Sequence, residues 1–293
     1  MDFKDLNLTE LDKYLTEPER EEWQAVYASY RSGSVMHGNV VGVDLHEFSV
    51  VPKGKKKAEK LSMRCLIVIP YRVKIIIPET EVFITERSTG YHILHSMYGA
   101  KVSYVITHID REAGFAIASR KIALDKIQHA NFRRMANVGE KVNVDVLAVG
   151  RDICTVTYNG FDVTLAQRDI SYVSIEDLHD IMKPGDIRQA VVKEYNPDKK
   201  IMRLSIKEAT AHPFDGIETR HPLGATRMAK IVGKYAGGVF CRLYDGETNV
   251  LCSYLTMQYD GDYKTGDLVE VIIQKYNYDK KQVYGKILRK MSK

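Results

Sequence analysis

The chain has 293 residues, of which 44% are apolar and 28% charged, with a formal net charge of +5. That balance is the globular average, so it excludes a disordered chain or a fibrous repeat and leaves room for two or three domains. No apolar run reaches the roughly 18 residues a membrane helix needs, and the acidic, amphipathic first fifteen residues do not read as a targeting peptide.

In chain order, residues 1–33 carry a net charge of −4. They predict an amphipathic helical segment, with Leu8, Leu11 and Leu15, then Trp23, Val26, Tyr27 and Tyr30, at helical spacing. Thr16 and Glu19 around Pro18 form a capping-box pattern for a second helix. Residues 34–127 predict strands at Ser34–Asp44, Arg64–Pro70 and Val73–Phe83 and a hairpin from Gly99, with an insertion, His46–Leu61, in the first loop. Leu66–Ile69, then Val73, Ile75, Ile76 and Ile77, are apolar on both faces, so a neighbouring barrel, the N-terminal helices or another protein is expected to cover them. Ala123–Ala136 reads as a helical connector.

Residues 138–209 predict strands at Lys141–Val149, Ile153–Tyr158 and Phe161–Ile170, a short helical turn near Ile175–Met182, and a hairpin from Gly185. Ala209–Gly224, with Pro213 and Pro222, reads as a loose hinge. Residues 224–293 predict strands at Arg227–Tyr235, Val239–Tyr244 and Thr248–Thr256 and a hairpin from Gly266. Net charge alternates along the chain, +7 for residues 34–135, −3 for 136–222 and +5 for 223–293, which points to modules facing different partners.

The three hairpins are copies of one another. GAKVSYVITHIDREAGFAIASRKI from Gly99, GDIRQAVVKEYNPDKKIMRLSIKE from Gly185 and GDLVEVIIQKYNYDKKQVYGKILR from Gly266 align without gaps at offsets of 86 and 81 residues. Each follows three short strands. Five strands in about 70 residues, with a helical turn after the third, match the Greek-key barrel called the OB-fold. The predicted fold is all-β, three tandem five-stranded OB-fold barrels behind an N-terminal amphipathic helical segment.

Through GDIRQAVVKEYNPDKKIMRLSIKEA and AKIVGKYAGGVFCRL, and in the first copy VKIIIPETEV and IASRKIAL, residues 34–291 resemble the RNA-binding repeats of ribosomal protein S-one. The resemblance implies capture of single-stranded RNA or mRNA in translation, with the small ribosomal subunit as a possible partner. It maps ligand groups onto Phe240, Asn277 and Lys281, and in the second copy onto the turn positions Asn196 and Lys200. Cys252 stands where the family commonly has a ligand-contacting His.

The residues themselves agree that the third copy is the richest. Alternation along its second strand turns Val239, Cys241 and Leu243 inward and Phe240, Arg242 and Tyr244 outward, interleaving rings and a cation. Lys230, Lys234, Lys275, Lys280 and Lys281 surround them, and 8 of the 18 tyrosines lie in this repeat. The second copy has Thr155 and Thr157 on the corresponding face and no ring. In the first copy the loop carrying Lys55, Lys56 and Lys57 is suited to phosphates, with a merely solvated loop the rival reading.

No Walker loop, GxSxG, HExxH or metal-grade Cys/His cluster occurs, so the expectation is a binding protein without cofactor or metal, not an enzyme. The four cysteines form no CxxC pair and read as core residues of a reducing, cytoplasmic environment, with no membrane contact. The rival to ribosomal RNA capture is an adaptor or accessory subunit of an RNA-processing or transcription complex. In it, residues 1–31 and the first repeat dock protein while the third binds RNA.

Overall fold

The computed structural model describes residues 17–50, 59–70, 73–84, 91–132, 136–196, 201–235, 237–255 and 260–291. The helix expected through Leu8–Leu15, its neighbour Thr16, and Lys55, Lys56, Lys57 and Lys200 lie outside them. Among the described residues, fifteen strands fall into three sheets of five.

Helix α1 (Glu17–Ser32) leads into β1 (Met36–Val50), β2 (Glu59–Val68) and β3 (Lys74–Pro78). The short helix α2 (Tyr91–His95) then precedes β4 (Lys101–Asp110) and β5 (Phe115–Ser119). These strands close into a barrel in the order β1-β2-β3-β5-β4, with β3 and β5 parallel. Helix α3 (Arg120–Asn131) connects to β6 (Lys141–Val149), β7 (Ile153–Tyr158) and β8 (Phe161–Ala166). The short helix α4 (Gln167–Ile170) separates β8 from β9 (Ile187–Asn196) and β10 (Ile201–Ser205). This second sheet keeps the same order of neighbours but stays open between β8 and β10. The third barrel, β11 (Thr226–Tyr235), β12 (Gly238–Leu243), β13 (Asn249–Ser253), β14 (Leu268–Asn277) and β15 (Gln282–Lys290), follows helix α5 (Ile217–Arg220) and is closed like the first. One strand order three times over is what the internal repeat requires, and it is the five-stranded OB arrangement.

The chain divides into two compact units, Met1–Gln167 with Glu176–Ser205, and Arg168–Ile175 with Ile206–Lys293. In the first unit, Trp23, Val26 and Tyr27 of α1 are buried in the core of barrel one with Leu66, Ile75, Val102 and Tyr104. Arg111 lies over the Trp23 ring at 4.2 Å, so a cation closes the outer side of this interface. The aromatic stripe predicted to cover barrel one or dock a partner therefore covers barrel one.

The described ends of the insertion predicted in the first loop, residues 46–50 and 59–61, continue both strands. β1 and β2 stay paired from Val43 opposite Leu66 to Val50 opposite Glu59. This arm brings Phe48, with Phe115, over a second small core of Cys65, Ile67 and Ile76 on the outside of β2 and β3. His46 packs edge-on against both rings at 4.9 Å. Strands apolar on both faces are covered on both, inside by the barrel core and outside by the arm.

Barrels one and two are joined by a buried ion pair. Ser119 caps α3 by accepting from the Ile122 N–H, which starts the helix with Arg120 facing inward. Arg120 is 1% exposed and grips Asp162 with both terminal nitrogens at 2.6 and 2.7 Å, while also donating to the Val82 carbonyl at 2.9 Å and Thr157 Oγ1 at 3.2 Å. Leu147 and Ala148 of β6 extend the barrel-one core across the same seam. The turn between β7 and β8 is the predicted Asn159-Gly160 pair, at φ 46° and 84°, the two left-handed residues of a tight hairpin turn.

In the second unit, the segment expected to be a loose hinge is packed. Phe214 and Ile217 are buried in the core of barrel three, because a Pro/Gly-rich composition did not outweigh two large apolar side chains. His221 is also buried and hydrogen-bonds Asp245 at 2.8 Å.

Candidate nucleic-acid interface

Strand β12 alternates as predicted. Val239, Cys241 and Leu243 are buried, Phe240 and Arg242 are half-buried on the outer face, and Tyr244, one residue past the strand, is 67% exposed. Strand pairing then builds the face sideways. Gly233, Phe240, Leu251, Tyr284 and Lys275 are successive partners across β11, β12, β13, β15 and β14. Because partners share a face, Phe240, Leu251 and Tyr284 form one apolar row with Lys275 at its end. The Tyr235 ring stands 5.2 Å from that of Phe240.

A second row runs Lys230, Arg242, Asn249. Two cations directly opposite each other repel, an arrangement that an anionic ligand turns to advantage. Arg242 is held by donating to the Ser174 carbonyl at 2.6 Å, with its Nε 3.5 Å from Asn249 Oδ1. Lys234 is exposed further along β11.

The β14–β15 turn closes the face. Asn277 Oδ1 accepts from the Lys280 N–H at 3.0 Å, and the Lys281 backbone sits at φ 47°. The left-handed φ, which costs a lysine about 1–3 kcal/mol, falls on the last residue of the turn, whose Lys281 N–H donates to the Tyr278 carbonyl at 3.2 Å. Lys280, Lys281, Phe240, Leu251, Asn249 and Gln282 border a cavity of about 240 Å³, and Tyr172, His212 and Phe214 are among its other lining residues. Burial and the nearby Lys281 ammonium lower the His212 pKa, and its Nδ1 accepts from the Phe214 N–H at 3.0 Å. The ring is therefore neutral, with its proton on Nε2.

Barrel three thus assembles Lys230, Lys234, Phe240, Arg242, Asn277 and Lys281 in one module, with Tyr244 at its border. Cys252 is a correction. β13 turns Asn249 and Leu251 outward and Val250 and Cys252 inward, so Cys252 is fully buried in the barrel core. A hydrogen bond with Cys241 and burial push its thiol far above the usual range, as suits a core thiol. In barrel two, Thr157 on the equivalent outer face is tied to Arg120 and Asp162, so that position belongs to the seam between barrels one and two. Asn196 ends β9 opposite Ile201, half-buried, in the first unit.

Leu251, Tyr284, Tyr235, Asn249 and Gln282 are the face residues that sequence reading did not single out. Their signal is the pairing register, including the parallel β13–β15 pair that no local pattern encodes.

No family model matches the chain. Its sequence is similar to a 4-hydroxy-3-methylbut-2-enyl diphosphate reductase of Clostridium tetani, 30% identical over 122 residues, 42% of this chain and 17% of that protein. It is also similar to the small ribosomal subunit protein bS1 of Rickettsia typhi, 22% identical over 157 residues, 52% of this chain and 27% of that protein. The chain thus spans only a minor part of the length of each relative. Among solved structures, a multidomain protein with nucleic acid binding domains from Streptococcus pneumoniae aligns over 89% of this chain and 75% of its own, at 8% identity and a TM-score of 0.20. At that score the fold assignment rests on the strand order itself. Among the described residues, no helix is long and apolar enough to cross a membrane.

Proposed function

We propose that this chain captures single-stranded RNA on the outer face of barrel three. The observation that carries the reading is the row Phe240–Leu251–Tyr284, an apolar platform flanked by Lys275, Lys281 and the opposed pair Lys230 and Arg242. Rings hold unstacked bases and ammonium groups hold phosphates, which is how OB barrels retain single strands. The similarity over half the chain to a ribosomal protein supports the finer reading, in which the strand is mRNA or the small ribosomal subunit's RNA and the setting is translation in the cytoplasm. The face offers groups that bind a polyanion rather than transform one, so the proposed role is binding without catalysis.

The adaptor reading loses the feature that motivated it, because α1 and the β1–β2 arm cover the apolar strands of barrel one. The test is titration of the full chain with a labelled single-stranded RNA. Phe240→Ala is expected to lower affinity about 5- to 150-fold, the loss of one stacked base, with the fold intact. An unchanged affinity in a folded variant places the site elsewhere.

A further inference from the structure

The cavity beside Phe240 is more than a groove along a barrel. We propose that it is a pocket for one unpaired nucleobase, and that its donors favour a base presenting carbonyl acceptors. The proposal rests on the RNA-binding reading of this face and goes further, because Tyr172, His212, Pro213 and Phe214 line the cavity from outside the barrel.

Phe240 and Leu251 form the barrel-side wall. From outside the barrel come Tyr172, of the segment 168–175, and His212, whose rings pack against each other with centroids 4.3 Å apart. Lys207 lies 5.3 Å over the Tyr172 ring and anchors it on that side. A volume of about 240 Å³ lined in part by the rings of Phe240, Tyr172, His212 and Phe214 suits a flat heterocycle better than a flexible chain. Stacking alone would take any base.

The polar groups are not neutral in preference. Asn249 turns its carbonyl toward Arg242, a group that only donates, which leaves the amide NH₂ for another partner. His212 accepts through Nδ1, which leaves Nε2–H as a donor. Lys280 and Lys281 add ammonium groups at the rim, and Glu247 is the one acidic side chain on the lining. Donor excess matches uracil, with two carbonyls, or guanine through O6 and N7, ahead of adenine and cytosine, whose exocyclic amino groups would face donors.

The experiment measures binding of the full chain to an oligouridylate of about 12 nucleotides and to a fully abasic strand with the same number of phosphates. The wild-type ratio of the two affinities reports base capture. Tyr172→Ala is expected to lower that ratio about 5- to 100-fold, and Tyr172→Phe to keep it, since only the ring is needed. A Tyr172→Ala chain with the wild-type ratio overturns the pocket. If Phe240→Ala is then still impaired, the outer-face reading survives without it; if neither variant matters, both readings fail. A Tyr172→Ala chain weakened equally on both strands shows a structural role and also overturns the pocket. Replacing the oligouridylate by an oligocytidylate tests the donor argument, and tighter binding of the latter contradicts it.

Discussion

Arg120 and Asp162 show how one ion pair weighs differently from its two ends. The guanidinium is 1% exposed while the side chain of Asp162 retains 16%. Asp162→Ala leaves a fully buried cation unpaired and is expected to cost about 3–5 kcal/mol, whereas Arg120→Met leaves a carboxylate with access to water and should cost less. Urea melts of the two variants, ranked against wild type, check that order; a milder effect of Asp162→Ala contradicts it. Asp245 supplies the pH dependence. Burial opposes its charge, but the Thr248 hydroxyl and N–H, His221 and the Glu247 N–H overcome this and hold the carboxyl at about 2. A depressed folded pKa contributes stability above the unfolded value of about 4, and that contribution is lost as pH falls through about 2. Melting of the second unit between pH 5 and pH 2 should fall more steeply in wild type than in Asp245→Asn. Equal slopes would show that Asp245 is not the group responsible.

Among the elements, the β1–β2 arm has the plainest mechanical role. Phe48 covers Cys65, Ile67 and Ile76, so Phe48→Ala is expected to cost about 2 kcal/mol, below the 3–5 of a fully buried ring. A thermal melt checks it, and a neutral substitution would mean the arm is ornamental. Sequence patterning did not reach this arm. Ser49, Pro52 and the run of lysines read as a loop, while the partner rings His46 and Phe115 are 69 residues apart in the chain. By contrast β12 was legible, because strict alternation of Val239, Cys241 and Leu243 with Phe240 and Arg242 is a local property. Cys252 was placed on the face by resemblance alone, while the reading of the four cysteines as core residues holds for it: it is fully buried, alternating inward with Val250 along β13. The lysines of residues 55–57 keep their own test: neutralising all three should flatten the salt dependence of RNA binding, by roughly 0.7 in log–log slope for each phosphate no longer neutralised. An unaltered slope makes them solubilising groups only.

At the scale of the molecule, the first unit is held together by α1, the Arg120 seam and a shared core, while the second carries the richest binding face. Removing residues 17–32 exposes the surface that Trp23, Val26 and Tyr27 bury, so barrel one should become unstable or insoluble. A deletion that left barrel one stable would show that the helix is not its cover. Linked modules raise avidity through effective concentration, so a first unit that binds RNA even weakly would add to capture by the second. The central claim is that the strand is held on the outer face of barrel three. The most direct measurement is photocrosslinking of the full chain to a 4-thiouridine-substituted single-stranded RNA, with the adducts located by mass spectrometry. The account predicts adducts at Phe240, Tyr284 and Tyr172 that disappear under competition by unlabelled strand; adducts confined to residues 34–205 outside the segment 168–175 would contradict it.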